Sequence, residues 1–354
     1  MKIGLICPQH YTIPPVYGGE IMIYHLMQAL TDLGHEINLF ARYGSETPEN
    51  GKLLPQRSCY GDWQRMIDTE QDSIRYDQKY LRECDIIHDW SHEKYVSDWC
   101  NQEGVPFIST LWGTTWRRPN CKTNITCWSN AHREAGLKGL TGFEGTGYES
   151  FGSPSGNIPD AKVVPGGTDT EFYTPCYEKE DYFVWISRAT PYKGIEIAIK
   201  LAKEMGFKLK VSGSFSGSDH GRYGRKWLEI IKGASNVEYV PTPDHQSKRD
   251  LLQKAKAMIF PTSYIECFGL IVVESLSCAT PVITSNMGAM PEIITPLDNG
   301  FICNKYGDYK NAIINVDMID LKRVRKTTVE KFDKKIVASN YLKLYKEVIE
   351  GGKW

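Results

Sequence analysis

The sequence predicts an α/β protein made of two doubly wound, Rossmann-like domains, and three observations carry that expectation. The chain is 354 residues long, more than one hydrophobic core normally fills. Short apolar runs closed by proline or glycine alternate with stretches of helical apolar spacing. That alternation starts at Lys2 and starts again at Asp181, on either side of an interval rich in Gly, Ser, Thr and Pro. The expected division is 1–170 and 171–333, followed by a helix over 334–354.

Residues 2–8 read as a buried parallel strand ended by Pro8. A loop with Pro14, Pro15, Gly18 and Gly19 follows, then a helix over 20–33 closed by Gly34, then a strand over 36–41. This is a βαβ opening without G-x-G-x-x-G, so it does not indicate a dinucleotide. Residues 44–82 are polar and carry Pro48, Gly51 and Pro55, which suggests loops around short helices. A strand over 84–88 runs into His88-Asp89-Trp90-Ser91-His92. Those residues are read as a helix start capped by Asp89 or Ser91 rather than a metal cluster, since no fixed i, i+4 pair or fourth ligand accompanies them. A strand over 105–112 leads into Trp112 and a basic, aromatic turn with Trp116, Arg117, Arg118 and Lys122. That turn fits either a grip on an anionic acceptor or a solvated loop.

The second half repeats the rhythm. Strands are expected over 181–187, 207–212, 237–240, 257–261 and 281–285, the last being the final clear buried run, with helices over 194–205, 225–232 and 245–255. A terminal helix is expected over 334–350. Lys plus Arg number 42 against 43 Asp plus Glu, a net charge of −1, so no global basic field points to nucleic acid or an anionic membrane. No stretch approaches 18 consecutive apolar residues and no signal peptide is evident, so the expectation is a soluble, cytoplasmic protein with room only for peripheral membrane contact. The 10 cysteines are scattered without C-x-x-C and read as reduced, buried thiols.

Chemistry concentrates in PTSYIECFGLIVVE. After an apolar strand, Glu266 sits in a loop, Gly269 opens a helix, and Glu274 lies just over one turn into it. Two carboxylates separated by seven residues thus flank a helix start whose free N–H groups and dipole favour an anion. Arg188 and Lys193 follow the 181–187 strand, where two cations can meet adjacent phosphates of a diphosphate. Glu266-x7-Glu274, with Cys267-Phe268-Gly269-Leu270 inside it, and Arg188-x4-Lys193-Gly194 together resemble the donor signature of retaining glycosyltransferases of family 4. The resemblance covers nearly the whole chain, most strongly residues 181–304.

The resemblance implies a GT-B fold, two Rossmann-like domains facing across a deep cleft. It implies transfer of a sugar from a nucleoside-diphosphate sugar, a UDP- or GDP-sugar foremost, with no cofactor and no metal. Arg188, Lys193 and Glu266 would be the catalytic set, the two cations stabilising the leaving diphosphate. Glu266 would bind sugar hydroxyls, Glu274 the ribose, Val240 the base side, and the amides of Cys267, Phe268, Gly269 and Leu270 the phosphates. Gly18 and Gly19 match a loop that approaches the diphosphate or the acceptor, although their spacing equally fits a bare turn. The acceptor side would include His88, Trp112, Arg117 and Arg118, and the acceptor itself would be a glycan, a lipid-linked sugar or a small molecule. Trp112 stands where the family commonly has histidine: other groups hold the sugar, the enzyme is atypical, or transfer is lost. A nucleotide-sugar-binding relative without transferase activity and a GT-B-type epimerase are the competing readings.

Overall fold

The computed structural model describes residues 1–8, 12–15, 18–56, 63–113, 122–140, 142, 161–215, 221–242 and 244–354, apart from the side chains of 63–66 and 221–222. The chain forms two compact units. The first contains Met1–Thr141, the stretch that ends at Gly167 and Lys334–Trp354, and the second contains Thr168–Asp333. Gly142 joins the second, its carbonyl accepting the Ile265 amide at 3.0 Å.

In the first unit the elements are β1 (Lys2–Ile6), α1 (Ile21–Asp32), β2 (Glu36–Arg42), β3 (Gly51–Gln56), α2 (Trp63–Arg82), β4 (Ile86–Asp89), α3 (Tyr95–Glu103), β5 (Phe107–Thr110), β6 (Ile125–Cys127), α4 (Asn130–Leu137) and β7 (Lys162–Val163). The strands form one parallel sheet in the order β3-β2-β1-β4-β5-β6-β7. Its order reverses between β1 and β4, the place where doubly wound sheets bind ligands at their carboxyl ends.

The second unit is built from β8 (Phe183–Ile186), α5 (Ile195–Met205), β9 (Leu209–Ser212), α6 (Gly221–Lys232), β10 (Val237–Tyr239), α7 (His245–Lys254), β11 (Ala257–Phe260), α8 (Leu270–Ser277), β12 (Val282–Ser285), α9 (Met290–Ile293), β13 (Gly300–Cys303), α10 (Tyr306–Asn315) and α11 (Leu321–Phe332). Its parallel sheet has the order β10-β9-β8-β11-β12-β13, with the switch between β8 and β11. The central strands of both sheets are apolar without alternation, as strands covered on both faces must be; Ile3, Val184, Trp185, Met258 and Ile259 are fully enclosed. After α11 the chain returns to the first unit as α12 (Lys334–Ile349), which packs on α1. Beyond it the Trp354 carbonyl accepts the Asn124 amide at 3.0 Å, and Trp354 Nε1 donates to the Ile125 carbonyl at 2.8 Å.

Residues 44–82 depart from expectation. Instead of loops and short helices they form β3 and the 20-residue α2. Pro55 is tolerated because β3 is an outer strand of the sheet. The buried stripe of α2 is polar, with Thr69, Glu70 and Ser73 all enclosed, so apolar spacing gives it away poorly. Gln56 explains the stripe: its amide accepts from Ser73 Oγ at 3.0 Å and donates to Asp77 Oδ2 at 2.9 Å. The sheet also continues past 281–285 as β13, and α10 and α11 follow it. The cysteines among the described residues are all unbridged.

Glu70 holds the turn before α3. Its Oε1 accepts the amides of His92 and Glu93, each at 2.9 Å, while Asp89 accepts the Ser91 amide at 2.8 Å and the Ser97 amide at 3.0 Å. Burial, and then the Asp89 charge, push the Glu70 carboxyl up from 4.5 to about 7. A raised folded-state value means the folded protein binds the extra proton, so stability is greatest below the ordinary carboxylate range and falls as pH rises to about 7. Glu70→Gln is expected to remove about 1–3 kcal/mol of that slope, read from denaturant unfolding at pH 5 and pH 8. An unchanged slope in the variant would place the titration elsewhere.

Candidate active site

In the second unit, β8 and β11 are hydrogen-bonded neighbours, and the loops leaving their carboxyl ends carry Lys193 and Glu266. The two side chains meet directly: Lys193 Nζ donates to Glu266 Oε1, with each side chain 11 % exposed. Thr262 Oγ1 lies 3.4 Å from the same oxygen. The ammonium is flanked by the Tyr264 and Phe260 rings, 5.3 and 5.5 Å from their centroids, which strengthens its electrostatic reach by keeping water away. Glu266 is fixed through its backbone. Its carbonyl accepts the Ala289 amide at 2.8 Å, and Gly288, at φ +55°, lies so close that an added Cβ would come within 2.3 Å of the Glu266 nitrogen.

Arg188 is exposed at the end of β8 and makes no ion pair with Glu266 among the described residues, so the structure joins Lys193 to Glu266 and leaves Arg188 outside that pair. Gly269 precedes α8 in a left-handed conformation, φ +94°. Cys267 and Phe268 are buried there, Phe268 against the Phe332 ring, while Gly269 and Leu270 are half-buried. Val240 directly follows the edge strand β10, and its amide donates to the Val211 carbonyl at 2.9 Å.

Glu274 lies deeper, at 1 % exposure. Its Oε1 accepts from Lys248 Nζ at 2.8 Å and from the Tyr173 hydroxyl at 3.0 Å. Neither partner is visible in the local motif: Lys248 comes from α7 and Tyr173 from the segment that opens the unit. A lysine among apolar positions of a predicted helix was the only signal available.

In the first unit, Gly18 is exposed at φ +110°, and Gly19 sits against the Trp112 ring, where an added Cβ would come within 2.5 Å of Cζ3. Trp112 is half-buried at the end of β5; its Nε1 donates to the Trp90 carbonyl. Trp128 stands edge-on to it at 5.5 Å and His92 lies 5.8 Å away. His88 corrects the sequence reading. Rather than facing an acceptor it is fully buried, with Nδ1 2.7 Å from the Tyr345 hydroxyl and Nε2 2.6 Å from Thr110 Oγ1. Burial, and secondarily the Lys94 charge, hold its pKa well below the ordinary histidine value, so it is a neutral core residue. Arg117 and Arg118 lie outside the described residues. Among the described residues there is no group of three metal-ligating side chains and no helix long and apolar enough to cross a membrane.

Replacing the indole of Trp112 by imidazole removes the Trp128 contact and leaves a gap beside Gly19. Trp112→His is therefore expected to cost about 2 kcal/mol in thermal unfolding and not to raise turnover. A faster variant would show that the indole only obstructs.

Two parallel, doubly wound sheets with their site residues at the strand carboxyl ends define the GT-B class of glycosyltransferase folds. Residues 169–319, which lie within the second unit, match the family described as glycosyl transferases group 1. The crystal structure of AviGT4, a glycosyltransferase involved in avilamycin A biosynthesis, superposes with a TM-score of 0.72 at 22 % identity, over 100 % of this chain and 99 % of that one. HepE of Anabaena, solved with UDP and glucose, gives 0.66 at 14 % identity over 97 % and 98 %. Among curated relatives, an uncharacterized glycosyltransferase of Methanocaldococcus jannaschii is 27 % identical over 175 residues, 48 % of this chain and 47 % of that protein. The chain spans about half the length of the curated relatives it matches.

Proposed function

We propose that the protein is a retaining glycosyltransferase of family 4 that moves a sugar from a nucleoside-diphosphate sugar to an acceptor, working in the cytoplasm. The observation that carries the reading is the contact between Lys193 and Glu266 at the switch point of the second sheet. An ammonium has three donors. With one on Glu266, Lys193 keeps others for a phosphate oxygen, and Glu266 keeps its second oxygen for a sugar hydroxyl. The pair thus brackets a bond that joins a phosphate to a sugar, which is the bond that transfer must break.

In this reading Lys193 and the exposed Arg188, with amides around Cys267, Phe268, Gly269 and Leu270, neutralise the departing diphosphate. Because protein cations and amides take that role, the reaction needs no divalent ion. Glu274 accepts from the ribose, Val240 flanks the base, and Gly18 and Gly19 approach the diphosphate or the acceptor. Trp112, Arg117 and Arg118 belong to the acceptor side, and the acceptor is a glycan, a lipid-linked sugar or a small molecule. Front-face attack follows from the family resemblance, with the leaving phosphate stabilising the positive charge on the sugar. The UDP in the HepE structure supports a uridine nucleotide, and a guanosine nucleotide is the other donor that the family resemblance implies.

The test is a thermal-shift screen of the protein against UDP-, GDP-, ADP- and TDP-sugars, without and then with Mg2+. A ligand that binds the folded state raises the melting temperature by mass action, so one base class should stand out without metal. Folded protein that responds to none of them would overturn the reading, and binding with no nucleotide release on offered acceptors would replace it with that of a non-transferring relative.

A further inference from the structure

Glu274 is held in an unusual way for a ligand-facing carboxylate. Both of its protein donors converge on Oε1, Lys248 Nζ at 2.8 Å and the Tyr173 hydroxyl at 3.0 Å, while Oε2 has no protein partner among the described residues. Lys248 is 4 % exposed and Glu274 1 %. The carboxylate is therefore charge-neutralised inside the protein, and its free oxygen attracts another cation or a metal ion only weakly. What still suits it is a neutral hydrogen-bond donor. With so little of the side chain accessible, that donor must be the tip of a ligand, such as a hydroxyl.

The partners are themselves held. Tyr173 has its hydroxyl 3.4 Å from His245 Nδ1, and its carbonyl accepts from Arg325 Nη1 at 2.9 Å, with Arg325 also donating to the Ser277 and Thr170 carbonyls at 2.8 and 2.7 Å. Burial, and then the Glu274 charge, raise the Tyr173 pKa, so its hydroxyl stays protonated and stays a donor. Lys248 lies on α7, which begins a few residues after Val240, with the Lys248 ammonium 5.4 Å from the Tyr173 ring centroid.

We infer that Lys248 and Tyr173 are positioning residues: they occupy Oε1 of Glu274 and thereby present Oε2 to a ring hydroxyl of the ligand, setting the preference for a ribose over a deoxyribose nucleotide. The inference rests on the donor-site reading above and adds to it the residues that make the ribose contact selective.

The test measures the dissociation constants of UDP and 2′-deoxy-UDP by calorimetry, with GDP and 2′-deoxy-GDP as the second pair, on wild type, Tyr173→Phe and Lys248→Met. Wild type is expected to prefer the ribonucleotide about tenfold, the value of one buried hydrogen bond to a charged group. Both variants should bring that ratio below about threefold while still binding the deoxynucleotide as wild type does. A merely structural role would weaken both nucleotides alike and leave the ratio unchanged, which would overturn the inference. Tyr173→Phe removes a single oxygen and carries the test if Lys248→Met does not fold. A wild type that binds neither nucleotide would overturn the donor-site reading itself, and a wild type that binds both equally would overturn only the inference.

Discussion

Lys193→Ala is expected to lower sugar transfer about a hundred- to a thousandfold, because it removes a desolvated cation from the place where the leaving diphosphate gathers charge. The same substitution strands the Glu266 carboxylate, whose side chain is only 11 % exposed and whose Oε1 loses its ammonium partner. It should therefore also cost stability, about 1–3 kcal/mol. The two effects separate in measurement. Turnover at saturating donor reports the first, and the unfolding midpoint without ligand reports the second. Lys193→Arg restores charge but not the compact point-charge geometry, so it should recover stability more fully than rate. If Lys193→Ala kept wild-type turnover, the pair would be a structural ion bridge and the transfer centre would lie elsewhere.

Glu274→Ala is expected to destabilise the second unit more, by about 3–5 kcal/mol, since it leaves Lys248 charged, enclosed and unpaired. For a unit of this size that corresponds to a fall in melting temperature of roughly 10 °C. Replacing the pair together by Glu274→Leu and Lys248→Met should return most of the loss, because a buried ion pair stabilises little beyond a well-packed apolar pair. Calorimetry of the single and double variants decides the matter. A double variant as unstable as the single one would show that the Tyr173 hydrogen bond, rather than the desolvated charge, holds this region.

The βα alternation was legible where strands are apolar throughout and helices carry apolar stripes; the expected helix over 20–33 is α1, Ile21–Asp32, and the run before Glu266 is β11. It failed where burial is polar. The enclosed face of α2 is Thr69, Glu70 and Ser73, satisfied by Gln56 and by the amides before α3, and no periodicity of apolar residues reports such a face. His88 failed for a related reason. Its place at a strand's carboxyl end is legible in the sequence, but its partners Thr110 and Tyr345 lie 22 and 257 residues away. At the candidate site, Glu266 and Lys193 were both legible from local spacing. Their direct contact depends on β8 lying beside β11, a pairing of strands that the linear pattern leaves open.

The return of α12 to the first unit has a consequence for biosynthesis. Thr168–Asp333 is one continuous stretch and has all its strands once Asp333 has left the ribosome, whereas the first unit waits for a segment made after it. Until Tyr341 and Tyr345 arrive, His88 and Thr110 in the middle of the first sheet lack hydrogen-bond partners that they have in the finished protein. The part of the chain synthesised first is thus the part completed last, and the face of α1 on which α12 packs stays uncovered while the second half is being made.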